Sequence, residues 1–406
     1  MKCRFCHEPL RDVFLDLGSA PPSNAFLRAE DLNAAEAWFP LRLFTCNACH
    51  LVQVDEVQRH DALFSSDYVY FSSYSRSWLQ HAERYVDKAV ARLQLGSHDL
   101  VMEIASNDGY LLQYVRQRGI PCIGIEPTAS TAAARARGIE SVERFFGRNF
   151  ADAFAQGRGK ASLIIANNVL AHVPDLNDFV AGLAIALADE GCITVEFPHL
   201  LQLVQQCQFD TVYHEHFSYF SFHTVQKVFA CHGLRIWDVE ELSTHGGSLR
   251  LWACHDGASR KATPAVPAML SKEHDAGMFD IGWYQGFQAQ ADRIKHELLT
   301  FLLDCKRNGK RIVGYGAAAK GNTLLNYAGV RPDLLPYVVD ASPHKQGRYL
   351  PGSRIPVVTE TRIHETRPDF VLILPWNLRE EIKTQLAYIR AWGGRFVTCM
   401  PEREVS

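Results

Sequence analysis

The chain has 406 residues, of which 47% are hydrophobic and 21% charged, a composition that suits a globular protein of two or three domains. The chain has 42 Lys and Arg residues and 45 Asp and Glu residues, with a formal net charge of −3. Because it has no excess of basic residues to neutralise phosphates, we expect no nucleic-acid partner. The N-terminal stretch is not an apolar leader and no apolar run is long enough to span a membrane, so we expect a cytoplasmic protein without a membrane partner.

Two C-x-x-C pairs mark the first 70 residues, which are otherwise turn-rich and irregular in pattern: Cys3 with Cys6, and Cys46 with Cys49. In a reducing compartment such pairs favour a metal over disulfides, and four thiolates in a tetrahedron suit a structural Zn²⁺. The alternative is four unconnected buried thiols. His7 and His50 each follow one of these cysteines, so either could replace a thiolate.

A helical stretch at about 74–95 leads into an alternation of strands and helices. The strand-like runs are Leu100–Ile104, Cys122–Ile125, Leu163–Ala166, Cys192–Phe197, Arg235–Glu240 and Leu249–Cys254. Helical patterns such as Gly109–Arg118 and Leu176–Ala188 lie between them. This alternation predicts a mostly parallel sheet with helices on both faces.

The loop after the first of these strands predicts a nucleotide site. It has a single glycine, Gly109, and is acidic, so it would repel a pyrophosphate but tolerates S-adenosylmethionine, which carries a sulfonium and an amino group. Glu126 ends the next strand, where a carboxylate can accept hydrogen bonds from ribose hydroxyls. The alternative is an ordinary strand–turn–helix. The candidate cofactor-binding residues are Glu103, Ser106, Asn107, Gly109, Glu126 and Asn167.

The segment Thr211–Ser221, which we call the histidine segment, carries Tyr213, Glu215 and His216. No regular period presents these three side chains together, so the segment must be irregular if they share one site. The alternative is an aromatic-rich strand with a buried structural histidine. His172, in the stretch that follows the strand ending near Asn167, could point into the same cleft, although a lone histidine is more often structural.

A second α/β unit follows a weak linker at 256–267 and a long helical region. Its predicted strands are Arg311–Tyr315, Tyr337–Asp340, Phe370–Leu374 and Arg395–Cys399. Gly314 and Gly316 open a G-x-G-x-x-A loop, and Asp340 ends the next strand, as in a dinucleotide fingerprint. Two other functions therefore stay open: an NAD-dependent oxidoreductase acting on a sugar nucleotide, and a non-catalytic scaffold.

Together these motifs resemble the sugar C-methyltransferases of deoxysugar biosynthesis, and the resemblance covers essentially the whole chain. It rests on five segments in the same order: Cys3–Cys6 with Cys46–Cys49, Leu17–Asn24, Glu103–Gly109, Tyr213–Ser221 and Gly314–Gly321. The resemblance implies three domains, with bounds that we predict at 1–72, 73–258 and 259–406. They are a zinc-binding module, a class I (Rossmann-like) methyltransferase domain, and a C-terminal Rossmann-like domain that helps to hold a sugar nucleotide.

The resemblance also implies S-adenosylmethionine-dependent methylation of a nucleotide-linked 4-keto-6-deoxy sugar, at C3 next to the ketone. A histidine base removes the acidic proton beside the carbonyl, and a hydroxyl or imidazole donor stabilises the enolate. The base falls on His216, and the other implied catalytic residues are Tyr213, Glu215, His172 and Tyr70. The glycine loop would approach the substrate's phosphates, and the implied substrate-binding residues are Gly314, Gly316 and Lys320.

One position departs from the family pattern. The resemblance predicts glycine in the loop after the first strand, where this chain has Ala105. The change should matter only if the backbone there needs a positive φ angle.

Overall fold

The computed structural model describes residues 1–55, 72–74 and 76–406. The strands of this part of the chain form three sheets, two of them mainly parallel and flanked by helices, which confirms the α/β class. Within the same residues, no helix combines the length and the apolar character that a membrane crossing requires.

A four-stranded antiparallel sheet, in the order β1-β2-β3-β9, supports the N-terminal module. Its strands are β1 Asp12–Ala20, β2 Phe39–Thr45, β3 Val52–Val54 and β9 Ser218–Tyr219. The prediction of an irregular N-terminal segment was wrong, because short apolar alternations such as Leu41 and Leu43 in β2 are easily lost among turn residues. Strand β9 comes from the histidine segment, so this sheet already joins the module to the middle of the chain.

The central sheet has seven strands in the order β10-β11-β8-β7-β4-β5-β6, and β4 to β8 run parallel. The strands are β4 Val101–Ile104, β5 Cys122–Ile125, β6 Glu140–Val142, β7 Ala161–Asn167, β8 Leu187–Pro198, β10 Leu234–Leu242 and β11 Ser248–His255. The helices are α1 Arg76–Leu93, α2 Leu112–Gln117, α3 Thr131–Ala136, α4 Arg148–Arg158, α5 Leu176–Ala186, α6 Leu200–Gln205 and α7 Phe222–Ala230.

Both faces of the central sheet are buried. Along β7, Leu163 and Ile165 pack into one core while Ile164 and Ala166 pack into the other, as expected for parallel strands with helices on both sides. The loops after β4, β5 and β7 therefore share the carboxyl edge of the sheet, where ligands bind in such folds.

The C-terminal sheet has the order β14-β13-β12-β15-β16-β17, with only β17 antiparallel. Its strands are β12 Ile312–Tyr315, β13 Val338–Val339, β14 Val357–Val358, β15 Phe370–Ile373, β16 Arg395–Thr398 and β17 Glu404–Val405. Helix α8 Ala265–Asp275 precedes this sheet and packs on the central one, where Val266 and Met269 join the core. The helices of the C-terminal domain are α9 Phe287–Arg307, α10 Ala319–Ala328, α11 Thr361–Thr366 and α12 Arg379–Gln385. Strand β14 was not predicted, because two residues are too few to show a period.

One hydrophobic core joins the N-terminal sheet to the C-terminal domain. The ring of Phe14 in β1 stacks on that of Phe287 in α9, with 5.1 Å between the centroids. The hydroxyl of Thr323 in α10 donates to the carbonyl of Val212 in the histidine segment at 2.8 Å. The N-terminal module, the histidine segment and the C-terminal domain therefore meet, while the domain bounds at 72 and 258 stay predictions.

Candidate active site

The four cysteines of the two C-x-x-C pairs converge. Their Sγ atoms all lie within 4.8 Å of one another, with 3.6 Å between Cys3 and Cys49 and 3.4 Å between Cys6 and Cys46. Four sulfurs bound tetrahedrally to zinc would lie about 3.8 Å apart, so this group fits a structural Zn²⁺. The His50 ring packs instead near that of His223, at 5.6 Å between centroids, and no histidine joins the cysteine group among the described residues.

The loop after β4 makes a tight turn at the sheet edge. Ala105, Asn107 and Gly109 have φ angles of +56°, +50° and +77°, all in the left-handed region. The glycine that the resemblance predicted at position 105 would therefore have a physical reason. Alanine holds this conformation at a cost of about 1 kcal/mol, so the departure from the family pattern strains the loop.

Glu126, at the end of β5, ties this loop down. Its Oε2 accepts a hydrogen bond from the N–H of Asn107 at 3.0 Å, and its Oε1 accepts from the N–H and hydroxyl of Thr128 at 2.9 and 2.6 Å. Because a carboxylate oxygen has two lone pairs, Oε2 retains acceptor capacity for a ligand hydroxyl beside the loop.

Buried polar atoms that lack a hydrogen-bond partner in the described part of the chain surround the loop. They are Oε2 of Glu103, Oγ of Ser106, Oδ1 of Asp108 and Oδ1 of Asn167, in residues no more than 8% exposed. Burial, and then the nearby Glu126 and Asp108 carboxylates, raise the pKa of Glu103 well above its usual range. Orphaned acceptors of this kind fit a ligand that brings donors and positive charge, as S-adenosylmethionine does.

The histidine segment lies on the stretch that follows β7. The N–H of Phe217 donates to the carbonyl of Ala171 at 2.7 Å, and the rings of His172 and His216 have centroids 4.6 Å apart. Since β7 is the neighbour of β4 in the sheet, the two imidazoles lie at the edge that carries the cofactor loop.

Between the 3-10 turn Phe209–Thr211 and strand β9, the histidine segment has no regular structure. The sequence predicted such an irregular segment if Tyr213, Glu215 and His216 share one site. The Tyr213 ring lies 4.0 Å from the His216 ring, measured between centroids. Tyr70, the remaining predicted catalytic residue, lies outside the described residues.

Backbone carbonyls fix the tautomer of both imidazoles. Nδ1 of His216 lies 3.1 Å from the carbonyl oxygen of Thr211, and Nδ1 of His172 lies 2.7 Å from that of Glu215. A carbonyl can only accept, so Nδ1 carries the hydrogen and Nε2 carries the lone pair in each neutral ring. Burial, with His172 nearby, lowers the pKa of His216 well below its usual range, and burial lowers the pKa of His172 to about 4. Both rings are neutral at pH 7.

The Glu215 side chain is 2% exposed and has one oxygen to spare. Its Oε1 accepts a hydrogen bond from the side-chain amide of Asn24 at 3.2 Å, and its Oε2 has no partner among the residues described. Because backbone carbonyls already orient the imidazoles, this carboxyl group is available to a substrate hydroxyl. Burial raises the pKa of Glu215.

The glycine loop after β12 makes its hydrogen bonds and close contacts within the protein. The N–H of Gly316 donates to a carbonyl of β13 and that of Ala317 donates to Oδ2 of Asp340, both at 2.7 Å. A Cβ on Gly316 would lie 2.4 Å from Pro375. The contact of Ala317 with Asp340 repeats that of Asn107 with Glu126, so it does not by itself exclude a ligand. The difference is that no buried side-chain acceptor between Ile312 and Lys320 lacks a partner among the described residues, so the geometry favours the loop after β4 as the cofactor site. Phosphate binding by Gly314 and Gly316 stays a prediction.

Lys320, in the first turn of α10, lies where the C-terminal domain approaches the histidine segment. Its Nζ donates to Oδ1 of Asn377 at 2.8 Å and lies 4.7 Å from the centroid of the Trp376 ring. The indole N–H of Trp376 donates in turn to Asp210 at 2.8 Å. Burial lowers the pKa of Lys320 and the Asp210 carboxylate opposes that shift.

Sequence reasoning missed three residues near this cleft: Asp210, Trp376 and His245. Asp210 is fully buried, and burial raises its pKa to about 6. His245 has a φ angle of +54° in the turn between β10 and β11, and its ring lies 5.2 Å from that of Trp78. The His-Gly-Gly turn between two predicted strands was a usable signal for His245, whereas Asp210 and Trp376 carry no local pattern.

A parallel sheet with this acceptor-lined loop, next to four converging thiolates, defines a zinc-containing methyltransferase of the class I fold that uses S-adenosylmethionine. Family models match a zinc binding domain at residues 3–64, a methyltransferase domain at 78–239 and a C-methyltransferase C-terminal domain at 243–401. C-methyltransferase NovU of Streptomyces niveus is 35% identical over 406 residues, which cover all of this chain and 96% of that protein. The chain belongs to this C-methyltransferase family.

Solved structures resemble less than half of the chain. Magnesium protoporphyrin IX methyltransferase (ChlM) from Synechocystis PCC 6803 is 18% identical over 47% of this chain and 87% of its own, with a TM-score of 0.33. An S-adenosylmethionine-dependent methyltransferase from Clostridium acetobutylicum ATCC 824 is 10% identical over 44% and 92%, with a TM-score of 0.35. The family assignment rests on the full-length relative and the domain matches, not on these structures.

Proposed function

We propose that the enzyme methylates a nucleotide-linked 4-keto-6-deoxy sugar on a carbon next to the ketone, with C3 as the expected position. The observation that carries this proposal is the part-buried pair of His216 and His172 at the carboxyl edge of the sheet, beside the acceptor-lined loop. A neutral imidazole base at this place suits the removal of a proton made acidic by a neighbouring carbonyl.

His216 is the base in this proposal. Its Nε2 holds the lone pair, because Nδ1–H donates to the Thr211 carbonyl. Nε2 takes the proton from the carbon next to the ketone, the C–H electron pair forms the enolate double bond, and negative charge moves to the ketone oxygen. When bound, S-adenosylmethionine would supply an electrophilic methyl group, to which the enolate carbon would form the new C–C bond as the methyl–sulfur bond breaks and leaves its electron pair on sulfur.

Tyr213 is the donor that we propose for the enolate oxygen, since its ring contacts that of His216 and a hydroxyl can donate there. His172 stays a proposed active-site residue through the contact of its ring with that of His216. Glu215 binds a second hydroxyl through Oε2. Tyr70 stays a proposed contact on the strength of the family pattern alone.

Lys320 brings the positive charge on the substrate side. Its buried ammonium group lies at the start of α10 and suits either a diphosphate oxygen or the developing enolate. Gly314 and Gly316 stay proposed contacts for the nucleotide part.

A panel of nucleotide-linked 4-keto-6-deoxy sugars, incubated with S-adenosylmethionine, tests the proposal. Mass spectrometry should show the gain of one methylene unit on one panel member, and NMR of that product should place the new methyl on C3. A product methylated on C5, the other carbon beside the ketone, would support proton removal next to the ketone but contradict C3 as the position. Methylation on oxygen, or none across TDP- and GDP-linked members, would refute the proposal.

A further inference from the structure

The zinc module holds the histidine segment at nearly every residue around His216. The His214 ring nitrogen Nε2 donates to the carbonyl of Pro40 at 3.2 Å, and Asn24 donates to Glu215. On the other side, β3 pairs with β9 through Val52 opposite Tyr219 and Gln53 opposite Ser218. His216 is thus the central residue of a segment whose neighbours are fixed by the N-terminal module.

Arg4 makes the connection closest to His216. It lies between two of the zinc-binding cysteines, and its guanidinium donates to the carbonyl of Phe217, the next residue after His216. A weaker contact of the same group reaches the Val54 carbonyl at 3.4 Å. The guanidinium carbon also lies 5.4 Å from the centroid of the Phe217 ring.

The cysteine cluster fixes Arg4 in turn. The N–H of Arg4 donates to Oε1 of Gln53 at 2.9 Å, and the side-chain amide of Gln53 donates to Sγ of Cys3 at 3.3 Å. The peptide of Arg4 belongs to the turn between Cys3 and Cys6, whose shape depends on both sulfurs reaching one metal ion. A continuous set of contacts therefore runs from a thiolate to the peptide next to the proposed base.

We propose that the zinc module positions the catalytic histidine, with Arg4 and Asn24 as positioning residues. The inference rests on the proposed function only in taking His216 as the base. Positioning matters because a shift of about 1 Å at a reacting group can cost about 100-fold in rate. Of the carbonyls and carboxyls beside His216, two are held by donors of the module. The Phe217 carbonyl accepts from Arg4 and also from the N–H of Val54 at 3.1 Å, and the Glu215 carboxyl accepts from Asn24.

The test compares full-length Arg4→Met and Asn24→Ala with the wild type, with Arg11→Met, an exposed arginine of the same module, as matched control. The first readout is exchange of the hydrogen next to the ketone of a TDP-linked 4-keto-6-deoxyhexose in D₂O with S-adenosylhomocysteine present, since this reports proton removal alone. The second is the ¹⁵N NMR signature of the His216 ring, assigned by its loss in His216→Ala. Bound zinc and the Kd for S-adenosylhomocysteine are measured on every variant.

We expect Arg4→Met to slow exchange by about 100-fold and Asn24→Ala by about tenfold, with altered His216 ring signals, wild-type zinc content and a Kd within about twofold of wild type. Arg11→Met should match the wild type in every readout. If Arg4→Met fails to fold, Asn24→Ala, whose side chain is exposed, decides the question by the same readouts. Wild-type exchange and ring signals in both variants would overturn the inference. If the wild-type enzyme catalyses no exchange, the proposed function fails and the ring signals alone decide the inference.

Discussion

Two loops of this enzyme follow a first strand and enter a helix, and they differ in what their polar groups contact. After β4, one buried side-chain oxygen each of Glu103, Ser106 and Asp108 has no partner in the residues described. After β12, the N–H of Ala317 binds Asp340 and Gly316 packs on Pro375. The N–H of Asn107 binds Glu126 in the same way, so the loops differ in their unpartnered acceptors. The loop that matches a dinucleotide fingerprint better has no such acceptor between Ile312 and Lys320 among the described residues.

The comparison shows that a glycine pattern indicates the backbone conformation of a loop and does not by itself indicate a bound ligand. Gly316 is needed because of its φ angle of +89° and the close approach of Pro375. The loop after β4 departs from the fingerprint, yet it holds the buried acceptors that require a partner. Unpaired buried atoms are thus a better guide to the cofactor site than the motif is, and four predictions test the two loops.

The greatest change should come from Glu126, which ends the second strand of the central sheet. Glu126→Gln should raise the Kd for S-adenosylhomocysteine by about 100-fold, because the charge-assisted hydrogen bond that Oε2 can accept from a ribose hydroxyl is lost. Asp340→Asn, the matched change in the other unit, should leave that Kd unchanged. Isothermal titration calorimetry measures both. Equal losses of affinity for S-adenosylhomocysteine in the two variants would show that the two loops do not differ as cofactor sites.

Next in size is Gly316→Ala, which should lower the free energy of unfolding by about 2 kcal/mol through the contact with Pro375 and the left-handed backbone. Gly393→Ala, also at positive φ but with open space around its Cβ, should cost about 1 kcal/mol. Urea unfolding curves give both values. A Gly316→Ala enzyme as stable as the wild type would show that the loop is roomier than described.

Ala105→Gly should raise the free energy of unfolding by about 1 kcal/mol, because glycine relieves the strain of the +56° φ angle. Ala132→Gly, in the exposed part of α3, should have the opposite sign and a similar size. Thermal and urea unfolding report both. Destabilisation by Ala105→Gly would contradict the assigned backbone conformation.

The smallest effect is a pH dependence of a few-fold in cofactor affinity. Because burial and two neighbouring carboxylates raise the pKa of Glu103, this group is protonated at low pH. It gains its charge as the pH rises through that pKa. Affinity for the ammonium group of S-adenosylhomocysteine should therefore increase with pH over that window, with release of a proton on binding. Calorimetry in buffers of different ionisation enthalpy detects the proton, and Glu103→Gln should abolish the dependence.

Much of the fold was predictable, because strands buried on both faces, such as Leu163–Ala166, read as continuous apolar runs between helical patterns. The strands of the N-terminal module were missed for two reasons. Strand β1 alternates irregularly and has bulges in its pairing, and the alternation of β2, although regular, covers only a few residues. The pairing of strand β9 with the N-terminal sheet could not be predicted from the sequence. Its partner β3 lies more than 160 residues away in sequence, and single-sequence patterns carry no pairing information over such a distance.

For the site, the converging cysteines and the closeness of His172 to His216 followed from motif spacing and sheet topology. The tautomers did not, because they depend on the carbonyls of Thr211 and Glu215 in an irregular segment. Asp210 and Trp376 were invisible as well, since their contact crosses from one domain to another.

Proton removal by His216 is the central claim, and the rate of methyl transfer by His216→Ala tests it most directly. The account predicts a rate lower by about 1,000-fold with an unchanged Kd for S-adenosylhomocysteine, whereas the exposed control His98→Ala keeps the wild-type rate. Methyl transfer by His216→Ala within a few-fold of the wild type would contradict it.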